Sequence, residues 1–300
     1  MSIEQISSSI ACFLDYVNNR SISNNTLVNY AVDVRQFTEY LAEQQMERLE
    51  DVDTPMLRAY LRGLYGWGYS KTTIARKLSV LRSFFSCLRE HGILQSDPTR
   101  NLRGPSAPRG IPRALSVESV DVLFGMAKAS EAPVRDTTIM EILYGCGLRV
   151  SELVSLKWNN IDMEERWLVI LGKGSKERRV PFGAWAQKAL EKTRSLSDGT
   201  NGFVFAGRKG KPLSVRTVHR IVTLLASRGG LEGVTPHVLR HSCATHLLEK
   251  GASLKFVQEF LGHESMATTQ IYLTVSATWM KESYMNSHPR ASLDGSAVSV

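Results

Sequence analysis

The stretch "GPSAPRGIPRAL", residues 104–115, divides this chain of 300 residues into two parts. Its three prolines and two glycines disfavour helices and strands, because proline lacks a backbone N–H and glycine has no side chain to restrict it. Chains of this length usually form two domains. We therefore expect a first domain at residues 1–105, a linker at 106–115, a second domain at 116–287 and a flexible, small and polar C-terminal tail at 288–300.

Residues that precede the linker have the spacing of helices. Between residues 70 and 92, apolar side chains recur alternately four and three positions apart, which places them on one face of a helix. Ser70 is suited to cap the start of this helix, and Gly92 to end it. Residues 24–43 and 54–68 have similar patterns. The first domain is therefore predicted to be a small, all-helical bundle.

After the linker, helices dominate again with one exception. Residues 167–171 and 178–181 have strand-like composition and flank a turn rich in Gly and Lys, which predicts an antiparallel β-hairpin. Ser116 is predicted to cap a helix whose first turn holds Glu118, where the helix dipole favours a negative charge. Residues 212–230 are predicted to form a helix that ends in glycine. The second domain is thus mainly α with a small β element.

The formal net charge of the chain is +8. The excess lies in residues 106–300, where 25 Lys or Arg stand against 18 Asp or Glu, whereas residues 1–105 hold 12 against 11. Basic surface attracts phosphate backbones, so the charge favours a polyanionic partner. Many basic proteins bind no nucleic acid, so charge alone does not decide the partner.

The cysteines and the hydropathy of the chain indicate a compartment. The four cysteines lie far apart and form no CxxC pair, and they are predicted to be small buried residues in a reducing environment. The N-terminal residues lack the basic region and long apolar core of a secretory signal, and no stretch reaches the roughly 18 apolar residues of a membrane span. We expect a cytoplasmic protein with no membrane partner.

The stretch "HVLRHSCATH", residues 237–246, admits two interpretations. His237 and His241 are spaced to share a helix face, as in a zinc site, but the glutamate of an HExxH motif is missing. Arg240 stands beside both, and its fixed positive charge would repel a metal dication and attract a phosphate. We therefore predict a phosphate ligand and no metal site. His241 and His246 are interpreted as structural, with a supporting role for His241 left open.

The stretch "GKGSK", residues 172–176, resembles a phosphate loop only in composition. It lacks the GxxxxGK[ST] spacing and lies in the predicted hairpin, so nucleotide binding is not expected. Lys173, at the tip of that hairpin, is nevertheless placed to reach a phosphate or a leaving oxygen. The alternative is a turn whose lysines serve only solubility.

Five short motifs follow one another in the second domain: "GCGLRVSEL" (145–153), the hairpin lysine, "HVLRH" (237–241), "LGHES" (261–265) and "TTQIYLTV" (268–275). In order and spacing they resemble the tyrosine recombinases of the phage-integrase family, most closely the Xer type, and the resemblance covers nearly the whole chain. It implies a mainly α fold. The first domain would be a SAM-like helical core-binding domain, and the second a mostly helical catalytic domain with a small antiparallel sheet.

The resemblance implies a catalytic set of six residues and one supporting residue, Glu152. Two arginines would hold the non-bridging phosphate oxygens, since preorganised cations stabilise developing negative charge. One histidine would act as acid or base, the other would bind a phosphate oxygen, and a lysine would protonate the departing 5′ oxygen. The two arginines would be Arg149 and Arg240. The acid or base would be His237, and His263 would bind the phosphate oxygen. The proton donor would be Lys173, and the nucleophile would be Tyr272.

Tyr272 and Tyr284 both lie near the C-terminus, and their distance from a preceding histidine distinguishes them as candidates for the nucleophile. Tyr272 lies nine residues after His263, as the family motif requires, whereas Tyr284 has no such histidine upstream. Attack by Tyr272 would give a 3′-phosphotyrosyl link that stores the energy of the broken bond. The resemblance therefore implies that no cofactor is needed, neither ATP nor a metal.

Double-stranded DNA is the implied partner. Candidate backbone contacts are Lys71, Arg76, Lys77 and Arg82 in the first domain, and Lys176, Arg178, Arg179, Arg208, Lys211, Arg216 and Arg220 in the second; some of these are expected to be merely solvated. The resemblance further implies a homo- or hetero-tetramer on two DNA sites, in which a helix within residues 276–291 docks on a neighbouring subunit. A paralogous recombinase and a DNA translocase are further family partners.

The function implied is site-specific DNA recombination, with resolution of chromosome dimers as the family-based role. An integron, phage or transposon integrase is the alternative within the same chemistry. A type IB topoisomerase would use the same chemistry without pairing two sites, and a DNA-binding accessory protein would keep the fold without chemistry. The complete set of six residues argues against the accessory protein.

Overall fold

A computed structural model describes residues 3–20, 24–46, 48–105, 114–171, 177–197, 202–207, 210–262 and 277–292. The chain forms two compact units, Met1–Arg109 and Gly110–Val300. Several of the sequence predictions concern positions outside the described residues: residues 106–113 of the linker, Lys173, Lys176, Arg208, His263 and Tyr272.

In the described part of the first unit there are four α-helices: α1 (Ile3–Asn19), α2 (Asn24–Glu43), α3 (Thr54–Gly66) and α4 (Lys71–Glu90). The predicted caps of α4 are confirmed, because the Ser70 hydroxyl accepts a hydrogen bond from the Thr73 amide at 3.2 Å and Gly92 follows with a φ of 69°. The apolar face of α4 is buried against the other helices, with Phe84 and Phe85 at its centre. This unit is the predicted helical bundle.

The second unit contains eight α-helices and three strands within the described residues. The helices are α5 (Val117–Lys128), α6 (Pro133–Met140), α7 (Val150–Ser155), α8 (Ala184–Ser195), α9 (Val215–Arg228), α10 (Pro236–Glu249), α11 (Leu254–Leu261) and α12 (Ala277–Ser287). The strands β1 (Ile161–Asp162), β2 (Trp167–Leu171) and β3 (Glu177–Pro181) form an antiparallel sheet in that order. The predicted hairpin is β2–β3, with Leu168 opposite Val180.

A tight connection brings the start of α7 against α10 and α11. Helix α6 continues into a single π-helical turn, Glu141–Gly145, and the chain then reverses at Gly147, which has a φ of 58°. A Cβ atom at Gly147 would lie 2.8 Å from the Leu261 side chain and 3.3 Å from the Cys243 Sγ. Only glycine fits both this backbone conformation and this close approach, and the turn sets Arg149 at the first position before α7.

Residues 288–292 correct the prediction of a flexible tail. His288 is 4% exposed and stacks on the Tyr284 ring at a centroid distance of 5.0 Å. The Arg290 Nε donates to the buried Glu141 carboxylate at 2.8 Å, and the Ala184 amide donates to the Ala291 carbonyl at 3.0 Å. The small and polar composition was misleading because these residues have buried partners far back in the sequence. Residues 293–300 lie outside the described residues.

The helix predicted within residues 276–291 forms as α12 and packs on its own chain. Tyr284 is fully buried, and its hydroxyl donates to the Gly145 carbonyl at 3.0 Å. Its ring stacks on Phe260, and Trp279 meets Phe256 edge to face. Tyr284 therefore has a packing role in this unit. Among the described helices, none is long and apolar enough to cross a membrane.

The cysteines are free thiols; Cys87, Cys146 and Cys243 are buried and Cys12 is half-buried. Cys12, Cys87 and His91 bring three metal-ligating atoms within 4.8 Å of one another. The His91 Nδ1, however, lies 2.9 Å from the Cys87 carbonyl oxygen, to which it must donate. That hydrogen bond at the end of α4 accounts for the position of the ring without a metal ion.

Candidate active site

Glu152 lies at the centre of a cluster of three arginines in the second unit. It is the third residue of α7, and its carboxylate accepts a hydrogen bond from the Arg149 backbone amide at 2.8 Å, which caps the helix. The Arg149 Nη1 also donates to Glu152 Oε1 at 2.8 Å. From β3, Arg178 donates to both carboxylate oxygens at 2.8 and 2.9 Å. The Nη1 of Arg240 stands 4.0 Å from Oε2.

Arg240 lies on α10 and is buried. Its Nη2 donates to the Leu261 carbonyl at 2.6 Å, and its Nη1 donates to the Gly147 carbonyl. These bonds use two of the five N–H donors of the guanidinium. The Nη2 of Arg149 donates to the Gly262 carbonyl at 2.8 Å. Both arginines are thus fixed by backbone oxygens as well as by Glu152.

The electrostatics of the cluster favour an anion. Within the described residues, three guanidinium cations surround one carboxylate, which leaves an excess of positive charge. Burial lowers the pKa of Arg240 to about 10, helped by the positive charge of Arg149 and opposed by Glu152, so Arg240 stays cationic at neutral pH. Burial alone would raise the pKa of Glu152, but its bonds from Arg178 and Arg149 outweigh burial, and the pKa is lowered. Glu152 therefore remains a carboxylate.

His237 stands one helical turn before Arg240 on α10. The Thr235 hydroxyl caps this helix by accepting a hydrogen bond from the Val238 amide at 3.4 Å, and Pro236 occupies its first turn. His237 is exposed at this end, whereas Arg240 is buried beneath it. Because residues three apart lie on the same face of a helix, α10 carries an exposed imidazole and a buried, fixed cation on one side, which suits a phosphate that needs both a proton carrier and a counter-charge.

Comparison with known proteins places this cluster in a family. Residues 113–278 match the phage integrase family, and residues 10–92 match the phage integrase N-terminal SAM-like domain. Tyrosine recombinase XerC of Oceanobacillus iheyensis is 36% identical over 301 residues, covering 96% of this chain and 98% of that protein. Tyrosine recombinase XerD of Halalkalibacterium halodurans is 34% identical over 299 residues, covering 96% and 100%. The chain belongs to the tyrosine recombinase family.

This tyrosine recombinase is therefore an enzyme that cleaves and rejoins DNA through a phosphotyrosine intermediate in site-specific recombination. Its fold is also that of solved relatives. A lambda integrase dimer bound to a COC′ core site superposes with a TM-score of 0.70 at 23% identity, over 92% of this chain and 100% of the other. The Tn1549 transposon integrase in complex with circular intermediate DNA has a TM-score of 0.69 at 17% identity, over 86% and 92%. The prediction of fold class is confirmed.

The structure brings together four of the residues predicted from sequence: Arg149, Arg240 and Glu152 in one cluster, with His237 on the same helix as Arg240. The other three catalytic candidates of the recombinase, Lys173, His263 and Tyr272, lie outside the described residues. His246 is structural, as predicted. Its Nε2 donates to the Leu115 carbonyl at 2.8 Å, so its Nδ1 accepts from the Tyr144 hydroxyl at 2.8 Å.

Two of the proposed DNA-backbone contacts are corrected. Lys77 is 4% exposed, and its Nζ donates to Asp33 at 2.8 Å and to Gln36 at 2.5 Å, so it offers no free charge to a phosphate. Arg178 is committed to Glu152, as described above. Periodicity predicts the face of the helix or strand on which a residue lies. It does not predict whether an acidic side chain from another part of the chain contacts the residue there. The other side of β3 carries the exposed Arg179.

The remaining contact candidates of the recombinase stay predictions. Arg76 and Arg82 are exposed but already bonded, Arg76 to the Asp33 carboxylate and Arg82 to the Leu102 carbonyl. Those that are exposed in the second unit are Arg179, Lys211, Arg216 and Arg220, and Lys71 is exposed in the first. Arg216 and Arg220 are four apart on α9, so they present their charges on one side of that helix.

Proposed function

We propose that this recombinase is a Xer-type enzyme that exchanges strands between two double-stranded DNA sites, with Tyr272 as its nucleophile. The observation that carries the proposal is the pair Arg149 and Arg240. Both guanidinium groups are held at one carboxylate, with Arg149 2.8 Å and Arg240 4.0 Å from oxygens of Glu152. Two fixed cations at one point match the two non-bridging oxygens of a phosphodiester.

The proposed reaction is a transesterification in two steps. The Tyr272 oxygen attacks the phosphorus, and the bond to the 5′ oxygen breaks. A 3′-phosphotyrosyl link forms, and the 5′ oxygen leaves as a hydroxyl with a proton from Lys173. His237 accepts or returns the proton of the phenol, His263 binds a phosphate oxygen, and the two arginines hold the developing charge. The 5′-hydroxyl of a partner strand then attacks the phosphotyrosine and releases Tyr272.

The biological role that we favour is resolution of chromosome dimers. Relatives named XerC and XerD match this chain at 36% and 34% identity over nearly their whole length, which supports a Xer role without separating the two. The proposed assembly is a tetramer on two sites, built from this chain alone or with a paralogue and activated by a DNA translocase. An integrase of a mobile element is the second candidate, because solved structures of that kind share the fold.

A suicide substrate tests the chemistry. The DNA is a nicked duplex that carries the site protected by the protein in genomic footprinting, with any paralogue supplied. Wild type and Tyr284→Phe should each leave a covalent band after denaturation, and Tyr272→Phe should leave none. An adduct that survives in Tyr272→Phe refutes the assignment of the nucleophile. No adduct with wild type on the protected site refutes the proposed reaction.

The location of the protected site tests the biological role. For dimer resolution, the site should lie near the terminus of chromosome replication, and a Tyr272→Phe strain should accumulate chromosome dimers. A protected site at the end of a mobile element, with normal chromosome segregation in the mutant strain, would favour the integrase instead.

A further inference from the structure

Arg178 has a role that the proposed catalytic set leaves unexplained. It is one of two adjacent arginines on β3, whose side chains point to opposite faces because strand side chains alternate. Arg179 is exposed, whereas the side chain of Arg178 is 14% exposed. A side chain that contributes surface charge to DNA binding has to be exposed, as Arg179 is and Arg178 is not. The two arginines therefore have different functions.

The contacts of Arg178 join three separate segments of the chain. Its Nη1 and Nη2 donate to the two oxygens of Glu152 on α7, in the parallel pairing that fixes a guanidinium most firmly. Its Nε points at the Phe260 carbonyl at 3.4 Å, near the end of α11. At Gly262, which follows α11, an added Cβ would lie 2.9 Å from the Arg178 Cδ and 3.0 Å from its Nε. The guanidinium is therefore packed directly against this backbone.

The same two anchors hold the two arginines of the proposed phosphate site. Arg149 binds Glu152 through Nη1 and the Gly262 carbonyl through Nη2. Arg240 binds the Leu261 carbonyl and stands 4.0 Å from Glu152. A shift of Glu152 or of residues 260–262 would therefore displace Arg149 and Arg240 together. Arg178 is a third side chain that connects Glu152 to this backbone, and unlike the other two it is not one of the proposed phosphate ligands.

We propose that Arg178 is a positioning residue for strand cleavage. It acts through Glu152 and the carbonyls of residues 260–262 to fix the guanidinium groups of Arg149 and Arg240, and it does not itself bind a DNA phosphate. The inference rests on the proposed function, because it presupposes that Arg149 and Arg240 hold the scissile phosphate. It assigns to Arg178 a role in the rate of the chemical step rather than in affinity for DNA.

The conservative variant Arg178→Lys separates these roles. It keeps the positive charge but loses the paired bonds to Glu152. The matched variant is Arg228→Lys, at an exposed arginine of α9 that is not among the proposed DNA contacts. We expect Arg178→Lys to bind the duplex as wild type does and to form the adduct about 10- to 100-fold more slowly at saturating DNA, the cost of a misplaced catalytic group. Arg228→Lys should retain the wild-type rate.

The salt dependence of binding tests whether Arg178 touches DNA. Loss of one phosphate contact reduces the slope of log K against log salt by about 1. In Arg178→Gln the slope should equal that of wild type. A reduced slope, or a cleavage rate in Arg178→Lys equal to that of wild type, would overturn the proposal. If Arg178→Lys does not fold, the cleavage rate is measured with Arg178→Gln instead, which retains an amide donor.

A double-mutant cycle tests the route through Glu152. If Arg178 acts through that carboxylate, the rates of Glu152→Gln and of the double variant with Arg178→Lys should be nearly equal. Additive losses would overturn the proposal.

A measurement without DNA keeps the inference separate from the proposed function. Carbon-13 NMR of the Glu152 carboxyl should show a higher pKa in Arg178→Lys than in wild type, since the paired bonds are lost. If wild type formed no adduct, the proposed function would be refuted. If the pKa of Glu152 were unchanged in Arg178→Lys, the inference about Arg178 would be refuted.

Discussion

Arg240 combines burial with a positive charge that the fold compensates only in part. Among the residues that the structure describes, the nearest carboxylate oxygen to Arg240 is 4.0 Å away, and the direct partners are backbone carbonyls. A guanidinium tolerates this site because its charge is delocalised and its proton is held tightly, so even a pKa lowered to about 10 leaves it cationic. A cation that its surroundings do not neutralise is prepared to receive an anionic ligand.

Arg240→Lys should therefore be severe although it preserves charge. One ammonium nitrogen cannot reach both the Gly147 and Leu261 carbonyls and a phosphate as well. We expect adduct formation to fall about 100- to 1000-fold, as when one charge-stabilising donor is removed. The free energy of unfolding should fall by about 1–3 kcal/mol, because a buried carbonyl loses its donor. The measurements are single-turnover cleavage and urea unfolding.

Arg228→Lys is the control for that experiment, because Arg228 is exposed at the end of α9 and is not among the proposed DNA contacts. It should change neither the cleavage rate nor the unfolding midpoint. A normal cleavage rate in Arg240→Lys would contradict the assignment of Arg240 to the scissile phosphate.

At the scale of single residues, sequence patterns predicted the kind of ligand that a residue would bind better than they predicted which side chains are in contact. The spacing of His237 and Arg240 indicated a phosphate, and in the structure His237 is exposed and Arg240 is buried on the same helix. The same reasoning assigned Lys77 and Arg178 to DNA, whereas Asp33 and Glu152 bind them. Those acidic partners are 44 and 26 residues away in the sequence, so no local pattern reveals them.

The end of helix α11 depends on one glycine. Gly262 has a φ of 65°, in the left-handed region, and its α-carbon faces the side chain of Arg178. The backbone conformation costs a non-glycine residue about 1–2 kcal/mol, and the close approach adds a steric cost. Two separate requirements therefore coincide at this residue.

Gly262→Ala and Gly230→Ala separate the two requirements. Gly230 has a φ of 69° and nothing within 4 Å of an added Cβ, so Gly230→Ala should cost about 1–2 kcal/mol of unfolding free energy and leave cleavage unchanged. Gly262→Ala should cost more, and should slow adduct formation because it displaces Arg178. Both are measured by urea unfolding and single-turnover cleavage. Equal behaviour of the two variants would show that the contact with Arg178 is unimportant.

The segment after α12 should make stability depend on pH. Burial lowers the pKa of His288 to about 3, from an ordinary value of 6.5. Below pH 6.5 the unfolded chain binds a proton at His288 that the folded chain does not bind until about pH 3. The free energy of unfolding should therefore fall as the pH decreases through this range, by up to about 1.4 kcal/mol per pH unit.

His288→Asn should remove this contribution while its side-chain oxygen keeps an acceptor for the Arg290 amide. The measurement is the unfolding free energy of both proteins between pH 5 and pH 7. An identical slope for wild type and variant would contradict a neutral, buried His288.

At the scale of elements, periodicity and caps were sufficient for the helices. Asn24–Glu43 coincides with the predicted 24–43, and Ser70 and Ser116 cap α4 and α5 as expected. The segment 288–292 was misjudged because its order depends on Glu141 and Tyr144, which are more than 140 residues earlier. Local sequence determines whether a helix can form; distant partners determine whether an irregular segment is held.

At the scale of the whole molecule, the described residues form two hydrophobic cores, one in each compact unit. The first contains Phe37, Phe84 and Phe85, all fully buried within the four helices. A core that is complete within one unit can support cooperative folding of that unit. We therefore expect residues 1–105 to fold when expressed alone.

Thermal unfolding of residues 1–105, followed by circular dichroism, should show one cooperative transition of a helical protein. Phe85→Ala should lower its unfolding free energy by about 3–5 kcal/mol, because it leaves a cavity among aromatic side chains. Arg89→Ala, on the exposed side of the same helix, should have little effect. A gradual transition without a midpoint would show that this unit does not fold alone.

The amino-acid sequence by itself determined the helical character of both parts, the β-hairpin, the helix caps and the order of the motifs that mark a tyrosine recombinase. These depend on interactions between residues a few positions apart, or on the chemical types that a reaction requires. Only the tertiary structure decided that Arg178 belongs to Glu152, that Lys77 is buried and that residues 288–292 are packed. Each depends on a partner brought close by folding, and a charge buried without such a partner would be too costly to keep.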